Sequence, residues 1–228
     1  MRTLTKYVNE AIKIGKSVAN ISVYTYQPRD KKELIEIIDD RIEQEGPNCD
    51  LNDIDVSQIE DMSNLFFDSK FNGDISDWDV SNVKDMKGMF SWSEFNGDIS
   101  KWNVSKVRDM QWMFADNKYF NQDISGWDVS KVKNMEAMFK GTPFNQDISK
   151  WNISKVKNMY LMFKNSQFNQ DISRWDVSNV EDMYKMFVDS EFDHDISNWK
   201  IRKNCNTRYM FKDCHIREKY KPKSIQQP

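Results

Sequence analysis

Tryptophan recurs on a fixed beat in this chain. Trp78, Trp102, Trp127, Trp151, Trp175 and Trp199 are separated by 24, 25, 24, 24 and 24 residues. Phe71, Phe95, Phe120, Phe144, Phe168 and Phe192 follow the same series. One unit reads FNGDISDWDVSNVKDMKGMFSWSE over residues 71–94, and its kin run over about 51–211. A fixed period of this length is the mark of a stack, in which each unit packs on its neighbours.

The apolar positions of the unit are Phe71, Ile75, Trp78, Val80, Val83, Met86, Met89 and Phe90. Trp78-x-Val80 has the period of two that marks a strand. Val83, Met86, Met89 and Phe90 have the three-and-four spacing of a helix. The spacing therefore predicts a short strand, a short helix and a loop with the Phe-Asn corner in each unit. The one longer unit carries its extra residue in ADNKY, before Phe120, which marks that segment as a loop. One unit alone cannot bury these side chains. Each contributes roughly 1.5–3 kcal/mol when buried, against about 1–2 kcal/mol of backbone entropy per ordered residue.

Charged residues make up 30% of the chain and hydrophobic residues 39%, a folded composition. The net charge of −3 gives the whole protein no pull toward nucleic acid or an anionic membrane. Cys49, Cys205 and Cys214 have no regular spacing and read as free thiols in a reducing compartment. The polar N-terminus has no signal-peptide core, and no stretch is long and apolar enough to span a bilayer.

The marks FNxDISxWDVSxVxxMxxMF, set by Ile75, Trp78, Val80 and Val83, resemble the BspA-like leucine-rich repeat family. The likeness is greatest to its bacterial "surface protein" branch, known from mycoplasmas, gut bacteria and some of their viruses. It covers about two thirds of the chain. It implies an α/β fold: a right-handed leucine-rich-repeat-like solenoid with one parallel sheet on the concave face and short helices opposite. The expected organisation has four parts. Residues 1–19 form an amphipathic helix. Residues 20–50 form an α/β cap, a strand and then a helix opened by Asp30-x-x-Glu33 and ended by Gly46-Pro47. Residues 51–199 form the repeat solenoid. Residues 200–228 form a C-terminal cap with a basic tail expected to fray. MRTLTKYVNEA also resembles the leader peptides of internal capsid proteins of tailed phages, with Val8-Asn9-Glu10 as the cleavage site. The chain lacks the anchoring signals of surface-displayed relatives, which favours a cytoplasmic or virion-associated protein over signal-dependent display.

Asp74 and its kin form a column that could be a cation ladder, but the calcium repeats that use one add ligands this unit lacks, so turn bonding is the expected role. His194 and His215 make no recognisable metal site, and no nucleotide-binding or hydrolase motif appears. No cofactor, metal site or catalytic residue is expected. The candidates for recognition lie where the repeat varies. On the expected concave face these are Asp79, Lys101, Asn103, Asp128, Lys150, Asn152, Arg174 and Asp176. A second patch gathers Trp92, Trp112, Tyr160 and Tyr184, with Leu161, at positions polar in other units. The expected function is a non-enzymatic protein–protein interaction module with an unidentified protein partner, no nucleic acid and no membrane insertion. Two alternatives are a virion-internal structural protein with a cleavable leader and a cation-stabilised adhesion repeat.

Overall fold

All eight apolar positions of the unit point into one continuous core in the computed structural model of the protein, which describes residues 24–225. From Phe71 to Phe90 none of the eight is more than 4% exposed. Phe66, Phe90, Phe114, Phe139, Phe163, Phe187 and Phe211 form a stacked column with ring centroids 5.5–5.8 Å apart. A second phenylalanine column lies against the first, with Phe90 and Phe95 at 4.2 Å. The repeat thus stacks coil on coil, as its period requires.

The coils are not built as the spacing predicts. Among the described residues there is one α-helix, α1 (Lys31–Glu45), one 3-10 turn (Glu218–Tyr220) and no named strand. Parallel pairing is confined to isolated bridges: one column runs coil to coil from Asp61↔Asp85 to Asp182↔Asn206, and Asp50↔Asp74 and Tyr26↔Ile54 add two at the N-terminal end. The expected α/β solenoid, with its parallel sheet and opposing helices, is therefore overturned.

Local hydrogen bonding gives the reason. The Trp78-x-Val80 alternation sits between tight turns: Trp78 N–H donates to Ile75 C=O and Val83 N–H to Val80 C=O. The chain bends too often there to run as a strand. In the Met–Phe segment the N–H groups of Met89, Ser91 and Ser93 return to the carbonyls of Met86, Gly88 and Phe90. The intervening N–H groups of Gly88, Phe90 and Trp92 instead cross to Gln111, Met113 and Ala115 in the next coil, at 2.8–2.9 Å. Gly88 and Trp92 have φ of 62° and 60°, the left-handed value such turns need at their third residue. A ribbon of turns buries the same residues as a helix would, and the neighbouring coil supplies the acceptors.

The N-terminal cap is α1, with a single bridge between Tyr26 and Ile54 in place of a strand. Asp30 caps α1 by accepting from Glu33 N–H at 3.0 Å. The Glu33 carboxylate bonds Arg29 N–H instead of closing the box on Asp30. Leu34 and Ile38 cover the first coil, and α1 ends at Gly46. The expected helix over 1–19, the Val8-Asn9-Glu10 site and the start of the strand fall outside the described residues. At the other end the tail, as far as Ile225, returns across the last coil. Ile216 and Pro222 are buried, and Tyr220 C=O accepts Ile196 N–H at 3.0 Å.

Candidate binding surface

The repeated polar residues are engaged in holding the coils together. The carboxylates of Asp74, Asp98, Asp123, Asp147, Asp171 and Asp195 each accept the backbone N–H of the serine two residues on, at 2.8–2.9 Å. That bond, followed by the same serine's hydroxyl, holds these carboxyls below the ordinary aspartate value. The side-chain oxygens of Asn72, Asn96, Asn121 and Asn145 accept the N–H of the asparagine one coil on, at 2.8–3.0 Å. Each core tryptophan donates its indole N–H backwards, as Trp127 does to Ile99 C=O at 3.1 Å. His194 takes the place of the repeat's glutamine, its Nε2 lying 3.1 Å from Asn169 C=O.

This bonding divides the sequence candidates. Asp79, Asn103, Asp128, Asn152 and Asp176 are exposed, but each accepts a serine N–H two residues on, at 3.0–3.2 Å. They are turn residues first, and with no sheet there is no sheet face for them to line. Lys101, Lys150 and Arg174 are exposed from the adjacent corner. They recur one coil apart except at Gly126.

The second patch lies on the turn ribbon. Trp92 is 57% exposed and Trp112 is 42% exposed, and the Lys87 ammonium sits 5.4 Å from the Trp112 ring. Both are in left-handed backbone, at φ 60° and 58°. Other coils place Gly88 or Asn64, and Asp68 or Gly141, at the matching positions, where that conformation costs less. Tyr160 and Tyr184 stack on each other at 5.5 Å and are half-buried. Phe67, Tyr119 and Tyr209, each more than half exposed, extend the aromatic surface and were missed from sequence. Asn, Asp and Gly, which tolerate positive φ, recur through the Trp92 column, but in the Trp112 column only Asn64 and Gly88 carry that signal.

An open cleft of about 490 Å³ lies near the C-terminal end, lined by Asp171, Asp193, His194, Asp195, Arg217 and Tyr220. Its acids are occupied: Asp193 pairs with Arg217 at 3.0 Å, and the other two hold their serines. Among the described residues no group of three or more His, Cys, Asp or Glu is placed to hold a metal. Cys49 is buried, Cys205 and Cys214 are half-buried, and all three are free. Burial pushes the Cys205 thiol up to about 11, away from a reactive thiolate at neutral pH. No described helix is long and apolar enough to cross a membrane.

A family model described as "Mycoplasma protein of unknown function, DUF285" matches residues 40–143 and 123–222, the whole stack and part of α1. No curated protein and no solved structure matches the chain.

Proposed function

The chain belongs to the DUF285 family, and from that premise we propose that it is a non-enzymatic protein–protein interaction module that uses the outer surface of its stack. One observation carries this reading. Trp92 and Trp112 are large aromatic residues held in left-handed backbone and left exposed; every other coil places Asp, Asn or Gly at the Trp92 position, and two place Asn64 and Gly88 at the Trp112 position. Each arrangement costs folding free energy twice, through backbone strain and through apolar exposure. Tryptophan and tyrosine are also the residues that dominate protein interfaces. The likeness of the repeat to bacterial surface-protein repeats supports the same reading. Lys101, Lys150 and Arg174 add exposed cations that would steer and orient a partner.

The full chain, immobilised, should capture a partner from an extract of its native source. Trp92→Gly/Trp112→Gly should lose that capture while the melting temperature stays within about 4 °C of the parent, the shift about 1 kcal/mol produces. Lys150→Glu/Arg174→Glu should weaken it with thermal stability unchanged. Equal capture by both variants would overturn the reading.

A further inference from the structure

Three consecutive coils carry a block of cations that the rest of the stack lacks. Between the Val80 position and the Met–Phe ribbon, the flanking coils read SNVKD and SNVED, and the middle three read SKVRD, SKVKN and SKVKN. The six cations are Lys106, Arg108, Lys131, Lys133, Lys155 and Lys157, all exposed. The backbone locks them into two columns in register: Lys133 N–H donates to Arg108 C=O at 2.9 Å, and Lys157 N–H to Lys133 C=O at 2.8 Å. Arg108, Lys131, Lys133 and Lys155 form no ion pair within 4.0 Å among the described residues. At the borders of the block such pairs do form, Lys84 with Glu60 at 2.6 Å and Lys157 with Glu181 at 3.2 Å.

Folding does not require this charge. In the flanking coils Asn82 and Asn179 donate their amides to Ser57 C=O and Ser154 C=O of the preceding coil, at 2.8 and 2.7 Å. Lys106, Lys131 and Lys155 stand at that position and forgo the bond. The neighbouring acid changes as well. Asp85 and Asp182 accept a turn N–H two residues on, and in the block Asn134 and Asn158 make the same bond to Glu136 and Tyr160, at 3.1 and 2.9 Å. The turn is kept, and the negative charge is gone from two of the three coils; Asp109 keeps it in the first, where its carboxylate accepts from Gln111 N–H at 2.8 Å and from the Asn134 amide at 3.3 Å. Asp128 is the acid that faces Lys131 and Lys155, and its oxygen is held by Ser130 N–H at 3.0 Å. Like charges in register on adjacent coils repel, so the block opposes folding unless an anion binds it.

None of the six cations lies over an aromatic ring. The block itself therefore has none of the cation–aromatic contacts that sites for single-stranded nucleic acid combine with their charge. The two columns are two residues apart, and an extended polypeptide spaces its alternate side chains about 6.6–6.8 Å apart. We propose that this block is a docking site for an extended, acidic polypeptide segment, whose carboxylates pair with Arg108, Lys131, Lys133 and Lys155. The proposal rests on the protein-binding reading above.

The test uses the full chain and a fluorescent oligo-Glu peptide, with oligo-Gln and an oligo-dT of equal charge as comparisons, read by anisotropy. Oligo-Glu should bind, weaken with added salt, and bind more tightly than either comparison. Lys131→Asn/Lys155→Asn restores the flanking coils' residue, so it should melt no lower than the parent and bind oligo-Glu about tenfold more weakly. Unchanged affinity in that variant, absence of oligo-Glu binding, or tighter binding of oligo-dT would overturn the proposal. If oligo-Glu fails while partner capture still depends on Trp92 and Trp112, the acidic-segment site alone is lost. If both fail, the protein-binding reading is lost with it.

Discussion

Asp147 shows what a repeated polar residue does. Its carboxylate accepts Ser149 N–H at 2.8 Å, and that bond holds its pKa below the ordinary aspartate value in the folded state. The unfolded chain then takes up protons first as pH falls. The stability this group adds is complete above the ordinary aspartate value and is lost as pH falls through it to the folded pKa. Asp147→Asn keeps the accepting oxygen and removes the titration. It should melt near the parent at neutral pH and lose less stability in acid, whereas Asp147→Ala should melt lower at neutral pH. Thermal melts from about pH 7 to about pH 3 check both signs. This role was legible in the sequence, because an Asp two residues before a Ser is a turn whatever the fold. The left-handed positions were not. Trp112, Leu161, Lys185 and Tyr209 occupy the column in which Asn64 and Gly88 carry the signal, and these four bulky residues hide it.

The elements divide along the same line. Helix α1 was legible down to its cap, because Asp30 and Gly46 act through bonds within a few residues of themselves. The ribbon was not, because Val83, Met86, Met89 and Phe90 satisfy helical spacing while their backbone is paired across coils. Periodicity reports which side chains face the core and is silent on where the N–H groups go. Gly88→Ala separates the two conformations. In a helix it would stabilise by about 1 kcal/mol. In the ribbon it should destabilise by about 1–2 kcal/mol, because an L-residue is placed at φ 62°. The added Cβ would also lie 2.3 Å from the Asn64 side-chain oxygen, which must move. Urea denaturation of the two proteins gives the sign.

At the scale of the whole molecule the coils support one another, and the residues that depart from the pattern are not needed for that stacking. The invariant Phe, Trp, Val and Met positions, the asparagine ladder and the indole bonds each join a coil to its neighbours, so no coil holds its own fold. The stacked architecture could be read from the 24-residue beat alone, since only stacking buries that many large side chains. The exposed aromatic residues proposed for recognition could be read only in part, since exposure at Phe67 and Tyr209 depends on the ribbon's shape. Removing residues 144–167, one complete unit, joins Pro143 to Phe168 in the register the other coils keep. The equilibrium unfolding of that shortened chain tests the stack most directly. A folded protein with one cooperative transition and lower stability than the parent is the predicted result; a chain that no longer folds, or one with undiminished stability, would contradict it.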